Sequence, residues 1–158
     1  MSLNIIVCAK QVMDPETPMS AFNVDEAAKR VVPAQGIPPV VNGFCENAVE
    51  AALKVKEAVG EATVTVISVG NDFVMDVMKK PLSMGADQMI LVQDPATENL
   101  DALGTATVLS KAIEKIGQPD IVICGQQASD WDNAHVPMGI SEMLGDGLPF
   151  RGSDYRHR

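Results

Sequence analysis

The run Leu3-Asn-Ile-Ile-Val-Cys-Ala9 decides the fold. It is a continuous apolar segment of strand length, without the alternation of a strand that has one wet face, so it predicts a parallel strand covered by helices on both faces. The next stretch, residues 10–41, has no sustained period. Pro15, Pro18, Pro33, Pro38 and Pro39 interrupt it, and residues 24–30 suit either a hairpin or one helical turn. A connection this long is usually functional or mobile. At Asn42 the period changes: Phe44, Cys45, Ala48, Val49, Ala52, Leu53 and Val55 form an apolar helical face that ends near Gly60. Asn42 or Gly43 is the expected cap, and Gly43 with Glu46 has the spacing of a weak capping box.

Residues 62–69 are β-branched and apolar, a second strand, and Gly70, Asn71 and Asp72 form a turn into a helix over residues 73–84. Pro81 lies inside that helix, where proline costs roughly 3 kcal/mol, so a kink or stop is expected near Lys80. A short strand follows at 89–92. A helix is expected at 100–116 with Leu103, Ala106, Thr107, Leu109, Ala112 and Ile113 inward, then a buried strand at 120–124 and a helix at 134–144. Strict β-α alternation predicts a parallel sheet with right-handed crossovers and ligands outside the carboxyl ends of the strands. The segments leaving those ends begin at Lys10, Gly70 and Gly125.

The chain's 158 residues, 46% of them apolar and 21% charged, suit one α/β domain, taken as residues 1–145. Residues 146–158 lack the apolar run that would continue the alternation and read as a divergent or disordered tail. Twelve basic against 21 acidic residues give a charge of −9 with no basic cluster, which argues against a nucleic-acid partner. No apolar stretch is long enough for a bilayer, and the first residues have no basic leader, so no membrane insertion and a cytoplasmic location are expected. Cys8, Cys45 and Cys124 fall in unrelated contexts without CxxC spacing, and there are two histidines. Neither a disulfide framework nor a metal site is indicated, and the thiols are expected to stay reduced and pack as small apolar groups.

The chemistry concentrates in Gly125-Gln-Gln-Ala-Ser-Asp-Trp-Asp-Asn-Ala-His-Val136, a polar loop between a strand and a helix. Gly125 permits close backbone approach. Amides together with Gln126, Gln127, Ser129 and Asn133 suit sugar and phosphate oxygens, and the following helix offers its positive end. Asp130 and Asp132 accept only and match ribose hydroxyls or backbone donors. The competing reading is a surface loop whose Asx residues cap the helix. His135 suits a cap or a ligand hydrogen bond better than a general base, and Trp131 either stacks on a base or packs within the loop. Neither a GxGxxG fingerprint nor a Walker lysine is present.

Four motifs in order, NIIVCAKQV (4–12), NGFCENAVE (42–50), LSMGAD (82–87) with ILV (90–92), and GQQASDWD (125–132), resemble the β subunit of electron transfer flavoprotein, the FixA-like family. The resemblance implies a Rossmann-like HUP-type fold, a three-layer αβα parallel sheet of the adenine nucleotide alpha hydrolase-like group. It implies a heterodimer in which an α subunit carries most contacts to a redox FAD, while the β subunit holds AMP, or a second FAD in bifurcating members. It implies an electron carrier without catalytic residues of its own, serving acyl-CoA or other flavin dehydrogenases. The family's nucleotide site maps onto Cys8 and Ala9; Asn42, Gly43, Phe44 and Cys45; Val69 and Gly70; and Gly125, Gln126, Gln127, Ala128, Ser129, Asp130, Trp131, Asp132, Asn133, Ala134, His135 and Val136. On this mapping, amides and short side chains hold the adenylate with no cation required. Members usually have proline at Gly43, lysine at Gln126 and glutamine at His135, and Pro81 is unexpected. The usual chain continues with further strands, a dehydrogenase-docking loop and an arm around the α subunit, whereas this one diverges after Gly145. The alternative reading is a stand-alone HUP-fold nucleotide sensor of universal-stress-protein type, but that group's glycine-rich phosphate loop is not found here.

Overall fold

A computed structural model of the chain describes residues 2–145; the expected tail at 146–158 lies outside them. Four parallel strands make the central sheet. They are β1 (Leu3–Cys8), β6 (Ala62–Gly70), β7 (Gln88–Gln93) and β8 (Ile121–Cys124), in the spatial order β7-β6-β1-β8. Alternation along β1 feeds two cores. Ile5 and Val7 point to one face, where Cys45, Ala48, Val49 and Ala52 of α1 (Gly43–Val59) and Met78 cover them. Ile6 and Cys8 point to the other, against Ala106, Leu109 and Ile113 of α4 (Ala102–Ile116) and Ile140 of α5 (Val136–Leu144). Because both faces of β1 are sealed, the strand needs apolar residues at every other-face position, which is why the opening run has no alternation. The result is the expected three-layer αβα arrangement.

Pro81 divides the second helical segment as its missing N–H requires. The segment is α2 (Met75–Met78) and α3 (Lys80–Met84), broken at Lys79, with Pro81 in the first turn of α3, where no intrahelical donor is needed. In the excursion before α1, residues 24–30 resolve as a hairpin, β3 (Asn23–Asp25) against β4 (Arg30–Val32). The stem of this excursion is a two-residue antiparallel pair, β2 (Gln11–Val12) with β5 (Val40–Val41), too short to leave a pattern in the sequence. The inward face of α4 is narrower than expected. Leu103 is 64% exposed and Thr107 is also exposed, its hydroxyl donating to the Leu103 carbonyl, while Ser110 takes an inward place beside Leu109 and Ile113.

Two aspartates fix strand register where crossovers return to the sheet. Asp87 accepts from the Val64 N–H at 2.7 Å while its own N–H donates to the Val64 carbonyl at 2.9 Å. Asp120 repeats the device on Asn4, accepting from its N–H at 2.7 Å and donating to its carbonyl at 2.9 Å. Among the described residues no helix is long and apolar enough to cross a membrane.

Two predictions follow from this packing. A Cβ on Gly139 would lie 2.8 Å from the Ala106 Cβ between α4 and α5, so Gly139→Ala should lower unfolding free energy by about 1–2 kcal/mol despite alanine's better helix propensity; urea titration reads this. The Asp87 carboxyl is held below the usual carboxylate range, first by the Lys56 ammonium and then by the Val64 N–H. Its stabilising contribution is therefore complete above the unfolded-state value, roughly 3.9, and is lost as pH falls through the lower folded value. Asp87→Asn should be less stable than the parent at pH 7, and the gap should close in acid, as thermal melts across pH would record.

Candidate functional site

The sheet order places a topological switch point between β1 and β8. The chain builds outward from β1 through β6 to β7, then returns to the opposite side of β1 for β8. Segments leaving the carboxyl ends of β1 and β8 therefore diverge, and the usual ligand position in such sheets is the crevice outside those ends. The segments bordering that position are Lys10 after β1, the first turn of α1, and the loop from Gly125 to His135, while Ala9 is buried in the core beneath α1.

Asn42 holds these segments together. It is 1% exposed. Its backbone N–H donates to the Lys10 carbonyl at 2.9 Å, and its own carbonyl takes the Cys45 and Glu46 N–H groups. Its side-chain Nδ2 donates to the Gln127 carbonyl at 2.8 Å, and its Oδ1 accepts the Ser129 N–H at 3.2 Å. One buried amide thus joins the end of β1, the start of α1 and the distant loop. This corrects the expected capping box: Asn42 is the cap residue, but its side chain makes no cap bond to the helix and spends its capacity across the crevice, while Glu46 pairs with Lys80 at 2.6 Å. Gly125 is as tightly constrained. A Cβ there would sit 2.9 Å from the Phe44 carbonyl carbon and 3.0 Å from the Cys45 nitrogen, so only glycine lets the loop lie on the first turn of α1. Gly43, by contrast, has open space around it.

Inside the loop, Asp132 accepts from Gln127 Nε2 at 2.7 Å, and the Trp131 and Asp132 N–H groups turn back to the Ala128 carbonyl. Asp132 and Ala134 both adopt left-handed backbone, φ +52° and +55°, a conformation costing an alanine about 1–2 kcal/mol. The amides of Gln126, Gln127 and Ala128 find no acceptor among the described residues, so they offer donors to an anion. The Asx-cap alternative does not hold: α5 begins behind His135, which makes no side-chain cap bond, and neither Asp130, Asp132 nor Asn133 caps that helix. Trp131 is 75% exposed, and Asn133 and His135 are also exposed. Those three side chains stand on the outer rim, and Val136 is already the first turn of α5.

A cation borders this position. Lys10 Nζ lies 2.6 Å from Asp130 Oδ2, both groups partly exposed. Lys10 is legible as the residue leaving β1, but without a Walker pattern its sequence context carries no signal for a role here. Its neighbour Gln11 was missed as well: its Oε1 accepts the Val74 N–H at 2.8 Å, tying the excursion stem to α2. Val69 and Gly70 lie at the end of β6, one strand away on the far side of β1, and a Cβ added at Gly70 would lie 3.1 Å from the Phe73 ring.

The cysteines, read as unrelated, meet here. Cys8 and Cys124 end β1 and β8 as register partners. Cys45 lies on the opposite face of the sheet, where its sulfur accepts from Asn42 Nδ2 at 3.2 Å and from the Lys10 and Gly125 N–H groups. Burial pushes the Cys45 thiol up, and those donors only partly offset it. Cys8 is raised by donating to Cys124 and by burial, while the same bond lowers Cys124.

The chain matches the family model described as electron transfer flavoprotein domain over residues 29–148. It is 42% identical over 142 residues to the electron transfer flavoprotein subunit beta of Thermoanaerobacterium thermosaccharolyticum, covering 90% of this chain and 52% of that protein. It is 38% identical over 149 residues to the electron transfer flavoprotein subunit beta of Megasphaera elsdenii, covering 90% and 53%. It is 36% identical over 147 residues to Protein FixA of Azorhizobium caulinodans, covering 90% and 50%. The chain thus spans about half the length of the curated relatives it matches.

Removing the Asn42 amide tests the geometry directly. Asn42→Ala leaves the Gln127 carbonyl and Ser129 N–H without their partner, which should cost about 1–3 kcal/mol. Amide exchange at Ser129 should accelerate more than exchange in β6; uniform acceleration would show that Asn42 does not specifically anchor the loop.

Proposed function

Because this chain belongs to the electron transfer flavoprotein domain family, we propose that it is a β-subunit-like module that binds an adenylate in the crevice between β1 and β8. The ligand is AMP, or FAD in the same place, and the module supports electron transfer through a flavin held mainly by an α subunit. The partner flavin supplies the redox chemistry; this chain binds, orients and shields. On this reading it is a carrier subunit and not an enzyme, and turnover belongs to partner dehydrogenases, acyl-CoA or other flavin-dependent ones.

One observation carries the reading: Asn42 and the Gly125 contact hold a row of acceptor-free amides at the switch point, beside the start of α1. Neutral amides and the positive end of a helix attract phosphate oxygens without requiring a basic surface. This suits a chain whose formal charge is −9. Lys10 adds one positive charge at the mouth. An arriving phosphate competes with Asp130 for it, so binding should loosen that ion pair.

Mass spectrometry of small molecules released by denaturing the purified chain tests this. AMP in a colourless sample or FAD in a yellow one supports the reading. It fails if no adenine nucleotide is released and titration with either nucleotide gives no heat. Lys10→Gln removes a partly exposed ion pair and should leave the fold intact, yet weaken AMP binding by roughly tenfold, as expected for a charge-assisted contact of about 1.5 kcal/mol.

A further inference from the structure

Cys8 and Cys124 face each other as register partners at the ends of β1 and β8, and both side chains belong to the α4/α5 side of the sheet. Adjacent strands run about 4.8 Å apart, inside the roughly 4.4–6.8 Å Cα separation that a disulfide spans. Cys8 is buried, whereas Cys124 is only half-buried on β8, which among the described residues has a neighbouring strand on one side. Cys45 is near but on the opposite face, its sulfur already accepting from Asn42 Nδ2. We propose that Cys8 and Cys124 are a reversible dithiol–disulfide pair whose closure twists the ends of β1 and β8. This goes beyond nucleotide binding and does not depend on what the crevice holds.

The oxidant is a low-molecular-weight disulfide. The more accessible sulfur, Cys124, attacks as thiolate, forms a mixed disulfide with one sulfur of the oxidant and expels the other as thiolate. The hydrogen bond from Cys8 favours Cys124 in this role. Cys8 then gives up its proton and its sulfur attacks the Cys124 sulfur, breaking the mixed disulfide and releasing the second small thiolate. The two protons finish on the two released thiols. The protein has lost two electrons and the oxidant has gained them.

Closure moves backbone. The Cβ atoms of a disulfide lie about 3.8 Å apart, closer than side chains standing parallel on strands about 4.8 Å apart, so the two Cα–Cβ bonds must tilt toward each other and the strand ends twist with them. The residues that follow are Ala9 and Gly125. Gly125 already touches the Phe44 backbone with no room for a Cβ, so it cannot slide toward α1, and the displacement passes into the loop that carries Trp131. Trp131 is the sole tryptophan of the chain, and its emission therefore reports the movement.

The full chain is incubated natively with 2-hydroxyethyl disulfide, then denatured for thiol counting and peptide mapping. Free thiols should fall from three to one, with a single cross-link joining the peptides that contain Cys8 and Cys124. Trp131 emission should shift with the same time course and recover with dithiothreitol. Cys124→Ser should abolish the cross-link and the emission shift together, and Cys45→Ser should preserve both; Cys45→Ala replaces it if the serine variant fails to fold. Three persisting thiols, a reaction that stops at the mixed disulfide, a cross-link through Cys45, or a Cys8–Cys124 link without an emission change would each overturn the proposal.

Discussion

The side-chain amide of Asn42 is the contact on which the crevice depends. A buried amide left unpaired is costly, and one with every partner satisfied specifies a single arrangement of the segments that supply them. Here those segments are the end of β1, the first turn of α1 and a loop some 85 positions later in the chain. The apolar cores set the layers and the sheet order. They do not by themselves determine where a polar loop lies on a helix. That decision falls to Asn42, aided by the absence of a side chain at Gly125.

The electrostatics of the crevice follow from this placement. An acidic chain repels anions at long range, so a phosphate must be held by short-range, directed donors. On the proposed function the amides of Gln126, Gln127 and Ala128, which find no acceptor among the described residues, would be such donors, and the loop's carboxylates are already engaged, Asp130 by Lys10 and Asp132 by Gln127. The left-handed backbone at Asp132 and Ala134 fits the same picture, since strain of this kind persists where surrounding bonds over-determine a turn.

Much of the architecture was legible because the governing patterns are local. Residues 3–9 declared a strand buried on both faces, Pro81 declared a break, and β-α alternation declared a parallel sheet. The places where the reading fell short depend on distant partners or weak local signals. The hairpin at 23–32 turns through Lys29 at φ +51°, without the glycine or asparagine that usually marks such a turn. Leu103 and Thr107 lie near the inward stripe of α4, but only packing reveals that Ser110 takes that side instead. Asn42 is the cap residue that local spacing expresses, but its bonds to Gln127 and Ser129 have no local signature. The cysteines looked unrelated because they are far apart in sequence, although two of them end strands that the β-α order makes neighbours. The β-α alternation selected the strand-end segments, and the family match supports the resemblance; the coordinates add that Lys10, Asn42 and the loop after Gly125 are joined by hydrogen bonds, whereas Val69 and Gly70 stand a strand away.

The excursion between β1 and α1 leaves and returns almost at a point. Lys10 and Asn42 are joined by a backbone hydrogen bond of 2.9 Å, and Gln11 pairs with Val41 just beyond it. Since the closure cost of a flexible loop changes by only about 0.6 kcal/mol on doubling its length, the segment beyond that clasp behaves as an exchangeable cassette. Beyond the clasp the segment's ties to the rest of the domain are few: the buried side chains of Thr17 and Ala34, and the Arg30–Glu98 ion pair.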